Sequence, residues 1–79
     1  MKPSDLTAAR VALGKLWGLG RPLKMSELGR LLRFPSTDPG QSIRDYEAGE
    51  TRIPGPVTVA VEMMLRGAPP PDGLAALLP

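Results

Sequence analysis

Between Asp38-Pro39 and Gly49 the chain places four side chains whose hydrogen-bonding groups match base-pair edges: Gln41, Ser42, Arg44 and Asp45. A glutamine amide pairs bidentately with adenine N6 and N7, and an arginine fork pairs with guanine O6 and N7. A carboxylate accepts from cytosine N4, and a serine hydroxyl serves bases or phosphates. Each residue also has a plainer role. Gln41 fits a solvated first helical turn, Arg44 a phosphate contact or a surface pair with Glu47 three residues on, and Asp45 an acid that only orients Arg44. Around this cluster stand candidate phosphate contacts: Lys24, Arg21, Thr51, Arg52 and the backbone N–H of Gly40, which heads the same segment. Such contacts position a protein on a duplex without reading sequence.

What is missing narrows the chemistry. The 79 residues contain neither His nor Cys. Zinc and haem sites are therefore not expected, and serine or cysteine catalysis assisted by a histidine base has no base available. No enzyme, no metal, no cofactor and no small-molecule ligand are expected. Without a disulfide frame, a chain this short must hold its fold by packing, which suits a reducing cytoplasm. The sequence shows neither an apolar run of about 18 residues nor a basic-then-apolar leader, so a soluble, cytoplasmic protein without a membrane partner is expected. Net charge is only +2, but eight basic residues face five acidic ones between Arg10 and Arg52. The anion-attracting part is thus N-terminal and central, unless these charges simply solvate helix faces.

Helix formers dominate the elements that must carry these residues. Leu, Ala and Met outnumber Ile, and β-branched residues cluster only at Val57-Thr58-Val59-Ala60-Val61, which predicts an all-α chain. Ser4 is placed to cap a helix ending near Trp17, with Leu6, Ala9, Leu13, Leu16 and Trp17 on one face. A second helix is predicted over about Lys24 to Arg33, with Leu28, Leu31 and Leu32 inward. Gly29 lies inside it, which makes sense where another segment crosses closely. Asp38 as cap and Pro39 as first helical residue predict a third, short helix that stops at Gly49. Ile43 and Tyr46 then face the core together and leave the four polar residues projecting. Pro56 opens a fourth helix to about Arg66, with Val57, Ala60, Val61, Met64 and Leu65 on its apolar face. Residues 1–67 form the expected domain. Residues 68–79 read as a proline-rich spacer, Ala68 to Pro71, and a short apolar segment capped by Asp72.

Leu23-Lys24-Met25-Ser26-Glu27-Leu28-Gly29 resembles the Leu-Thr-Gln-x-Glu-Leu-Ala helix of the Cro/C1-repressor (XRE) family of helix-turn-helix regulators. Gln41 to Arg52 resembles that family's recognition helix, Gln-Ser-Ile-x-x-(Trp, Leu or Tyr)-Glu-x-Gly-x-x-(Lys or Arg), and Ile53-Pro54-Gly55-Pro56-Val57 resembles the approach to its fourth helix. The likeness runs from about Leu23 to Leu65. It implies a four- to five-helix bundle of the lambda-repressor-like kind, whose third helix enters the major groove of double-stranded DNA. It also implies a scaffold role for Glu47. Two departures stand out: Lys24 replaces the family's polar cap, which would shift the helix start toward Ser26, and the stretch from Leu32 to Gln41 is longer than the family's tight turn by roughly one helical turn, with Phe34-Pro35 expected to plug the core.

A single short module contacts too few base pairs to select a site, so a homodimer on inverted half-sites about one DNA turn apart is expected. Val59 and Met63 on the fourth helix, and Leu74, Leu77 and Leu78 in the tail, are the candidate interface, the alternative being a tail that folds back on its own domain. The resemblance thus implies a DNA-binding transcriptional regulator, a repressor by promoter occlusion, of a kind frequent on phages and integrative mobile elements. Two rivals are a protein-interaction module, such as an antitoxin or antiactivator, and a nucleoid-type, non-specific DNA binder.

Overall fold

Pro3 opens the first helix where a missing N–H costs nothing, and the Asp5 carboxylate reaches back to accept the Lys2 N–H at 2.8 Å. In the computed structural model, which describes residues 1–35 and 37–77, α1 spans Pro3–Leu16, α2 Met25–Leu31, α3 Gln41–Ala48 and α4 Gly55–Leu65. A 3-10 turn follows at Leu74–Leu77. Among the described residues there is no strand, as the composition predicts. Lys2, not Ser4, occupies the N-cap of α1. The start of α2 is not displaced to Ser26, because Glu27 accepts the Lys24 N–H at 2.8 Å and so supplies the capping bond that Lys24 cannot.

The four helices close by one device. After each, the residue in the left-handed region donates to the carbonyl three back and its successor to the carbonyl five back. Gly18, Gly49 and Gly67 hold that position after α1, α3 and α4, with φ of 70°, 78° and 102°. After α2 the position belongs to Arg33, at φ 60°; Arg33 N donates to Arg30 O and Phe34 N to Gly29 O, both at 3.0 Å. This turn is why α2 ends at Leu31 rather than continuing to Arg33.

Leu6, Ala9 and Leu13 of α1, Leu28 and Leu31 of α2, Ile43 and Tyr46 of α3, and Val57, Val61 and Met64 of α4 form one buried core, together with Leu23. Ile43 and Tyr46 thus lie where their spacing predicts. Leu16 does not: it is 53% exposed, and Trp17 packs against the core only partly buried. Of the expected Phe34-Pro35 plug only Phe34 packs against the core, half-buried and edge-on to Tyr46 with ring centroids 6.3 Å apart, while Pro35 is exposed.

Gly29 is the close crossing point. A Cβ there would sit 1.9 Å from the Pro39 carbonyl oxygen, so only a glycine lets the lead-in to α3 lie against α2. The tail does not stand away from the domain as a spacer would. Pro70 is buried, the 3-10 turn contacts α2, and Leu77 packs against the core. Among the described residues the Asp72 side chain makes no capping bond. Its carboxylate accepts from Arg33 Nε and Nη2 at 2.9 and 2.8 Å.

Candidate nucleic-acid interface

α3 is short and two-sided. Ile43 and Tyr46 are buried, Gln41 and Arg44 are exposed, and Ser42 and Asp45 are half-buried. Residues three and four apart share a helix face, so Gln41, Arg44 and Asp45 meet. Gln41 Nε2 donates to Asp45 Oδ1 at 2.9 Å, and Arg44 Nη2 donates to Gln41 Oε1 at 3.0 Å. The same Nη2 also makes a very short bond to Asp38 Oδ2. Four side chains are thus joined in sequence: Asp38, Arg44, Gln41, Asp45. Asp38 does not cap α3, since Gly40 holds the N-cap and Asp38 contributes only its carbonyl, which accepts the Gln41 N–H at 3.2 Å. Its side chain is spent on Arg44.

The alternative Arg44–Glu47 pair does not form, because Glu47 is engaged on the other side of α3. Its carboxylate accepts from Arg10 Nε and Nη2 at 2.6 and 2.7 Å and from Thr7 Oγ1 at 2.6 Å. Arg10 Nη1 also donates to the Leu23 carbonyl at 3.0 Å. One nearly buried ion pair therefore ties α3 to α1 and to the strap leading into α2. Burial pushes the Glu47 carboxyl up, but the hydrogen bonds from Arg10 and Thr7, with the Arg10 charge, together hold it below its ordinary value.

A second acid has the same duty. Glu27, with only 4% of its side chain exposed, accepts both arms of the Arg21 fork at 2.8 and 2.9 Å. Those bonds hold its carboxyl low against the opposing effect of burial. Arg21, read from sequence as a phosphate contact, is committed to orienting α2. Arg10 and Thr7, Glu27 and Asp38 are the residues that sequence reasoning missed in these roles. Glu27 was discoverable, because a Glu at the third helical position is a capping signal. Nothing local announces the Arg10–Glu47 pair across 37 positions.

Of the other expected phosphate contacts, Lys24, Thr51 and Arg52 are exposed. Gly40 is buried instead, its α-carbon so near α2 that a Cβ would lie 3.0 Å from Ser26 N. Pairing also thins the free positive charge. Arg10, Arg21, Arg33 and Arg44 each have a carboxylate partner, which leaves Lys15, Lys24, Arg30 and Arg52 of the central basic set without one among the described residues.

On α4, Val59 and Met63 are each 55% exposed. Leu74 is also exposed, whereas Leu77 is drawn onto the chain's own core; Leu78 lies outside the described residues. Met63 borders an apolar groove shared with Leu31, Leu32, Met64, Pro69 and Pro71. Among the described residues, no cluster of acidic side chains is arranged to hold a metal ion, and no helix is long and apolar enough to cross a membrane. No family model, curated protein or solved structure matches this chain.

Proposed function

We propose that this chain is a sequence-specific DNA-binding transcriptional regulator in which α2 and α3 act as a helix-turn-helix. The observation that carries the reading is the division of α3: Ile43 and Tyr46 anchor it in the core while Gln41 and Arg44 stand exposed together. Base-reading groups on a helix braced from behind are what insertion into a major groove requires. Gln41 and Arg44 read bases, with Ser42 and Asp45 beside them, and Lys24, Thr51 and Arg52 hold phosphates. Two copies bind an inverted repeat and occlude a promoter, joined through Val59 and Met63. The motif resemblance over Leu23 to Leu65 supports the same reading, including its extension to regulators of mobile elements.

Selection of duplexes from a random-sequence pool by the purified protein tests the reading. A palindromic sequence is expected to emerge, and Gln41→Ala and Arg44→Ala are expected to relax base preference at separate positions by ~1–3 kcal/mol each. Failure to enrich any sequence overturns it. Equal weakening on all duplexes, with a steep salt dependence, would instead mark a non-specific binder. A protein-interaction module is the second reading, favoured by the exposed Val59 and Met63 beside the apolar groove. It predicts partner binding that survives both alanine substitutions and is lost when the chain is cut after Pro71.

A further inference from the structure

In the free protein the two base-reading side chains are bonded to one another, and the guanidinium of Arg44 is incompletely available. Its Nη2 carries two hydrogens, one given to Asp38 and one to Gln41. Both bidentate edges of a guanidinium, Nε with Nη2 and Nη1 with Nη2, need a hydrogen of that nitrogen. As long as both are used, neither edge can address guanine O6 and N7 together. The Gln41 amide is likewise occupied at both ends, accepting from Arg44 and donating to Asp45.

One movement releases both. When Gln41 turns its amide to an adenine, its carbonyl leaves Arg44 and a single Nη2 hydrogen becomes free. Arg44 then has a complete edge for guanine while its other Nη2 hydrogen stays on Asp38. We infer that Asp38 is a positioning residue for Arg44: its carboxylate holds the guanidinium in place as Gln41 departs, and so sets discrimination at the base pair Arg44 reads. This inference rests on the DNA-reading function proposed above. Asp38 belongs to the lengthened turn between α2 and α3; its side chain is 52% exposed, and its only hydrogen-bonded side-chain partner among the described residues is Arg44. An anchor on one side of a flexible cation lowers the freedom lost on binding. The carboxylate also exerts the opposite effect on affinity, because a negative charge near phosphates repels any duplex.

Those two effects make the test one of opposite signs. The probes are a duplex selected by the unsubstituted protein, its single-base-pair variants, and a duplex of random sequence. The base pair read by Arg44 is the one whose preference Arg44→Ala removes. Asp38→Asn is expected to bind the random duplex more tightly. At the Arg44 base pair it is expected to lower discrimination about fivefold, the loss of roughly one hydrogen bond, and to leave the Gln41 base pair nearly unchanged. Asp38→Glu, which keeps the charge, is expected to retain more discrimination than Asp38→Asn. In an Arg44→Ala background, Asp38→Asn should alter affinity only. Unchanged or sharper discrimination in Asp38→Asn, or the same change in the Arg44→Ala background, overturns the inference while leaving the DNA reading intact. Failure of the unsubstituted protein to select any duplex overturns both. Far-UV circular dichroism of each variant confirms that the helices persist, and Asp38→Ser provides a second neutral side chain if Asp38→Asn is misfolded.

Discussion

Replacing Glu47 by Ala should remove a large share of this protein's stability, while replacing Glu47 and Arg10 together by Leu and Met should cost less. The two side chains are only 8% and 14% exposed. Without Glu47, the guanidinium loses two bonds of 2.6 and 2.7 Å and keeps only the Leu23 carbonyl. Stranding one member of a buried pair costs about 3–5 kcal/mol. At ~0.05–0.15 kcal/mol per residue, a domain of this size has a total stability of roughly 4–12 kcal/mol. The single change therefore removes a large share of it. The apolar double replacement strands no charge and leaves the Leu23 carbonyl short of one donor, a loss of about 1–3 kcal/mol. Urea unfolding followed by Trp17 fluorescence and circular dichroism gives both values. A cost below about 1 kcal/mol for Glu47→Ala, or a double variant no more stable than Glu47→Ala, would overturn this expectation. Acid provides a second readout. Because the folded-state pKa of Glu47 is depressed, its stabilisation is full above the unfolded value of about 4.3 and disappears as pH falls through the folded one. Glu47→Gln should shorten the acid limb of the stability profile without abolishing it, since Glu27, held low by Arg21, contributes a limb of the same sign.

Gly29→Ala would stabilise an open helix by ~1 kcal/mol, but here its methyl would meet the Pro39 carbonyl. A net loss of about 1–3 kcal/mol is expected in a thermal melt, and a gain would show that the α2–α3 crossing has room for a methyl group. Arg33→Gly is expected to raise the melting temperature, because glycine takes the left-handed position without strain, whereas Arg33→Ala should not raise it. A fall with glycine would mean that the Asp72 contact outweighs backbone strain. If the proposed homodimer forms through α4, Val59→Glu with Met63→Glu should leave the helical signal intact and move the sizing profile to that of a monomer; a dimer that persists would place the interface elsewhere, and a monomeric unsubstituted protein would overturn the proposed homodimer.

Much of the architecture is legible along the chain because helix ends and faces are local properties. Gly18, Gly49 and Gly67 mark three helix ends by their ability to adopt positive φ, and the spacing of Leu6, Ala9 and Leu13, or of Ile43 and Tyr46, marks buried faces. The fourth helix end was not legible, since arginine carries no such signal and only the surrounding turn imposes φ 60° on Arg33. The four polar residues of α3 could likewise be named from composition and order. Their present partners could not, because Arg44 is satisfied by Asp38 from a turn whose path depends on Gly29 admitting Pro39.

Local spacing and end signals were enough for the helices α1 to α4, most of their inward residues and the outward Gln41 and Arg44 of α3, although Leu16 and Leu65, which share that spacing, are exposed. Which charges are free depends on how the helices pack. Arg10 and Arg21 look like any surface cation in a list of residues. They become scaffold because folding brings Glu47 and Glu27 to them in places where water is scarce, and an acid buried there requires a partner. Helix periodicity is written in neighbours a few positions apart; ion pairing across the core depends on how the helices cross, which no local spacing records.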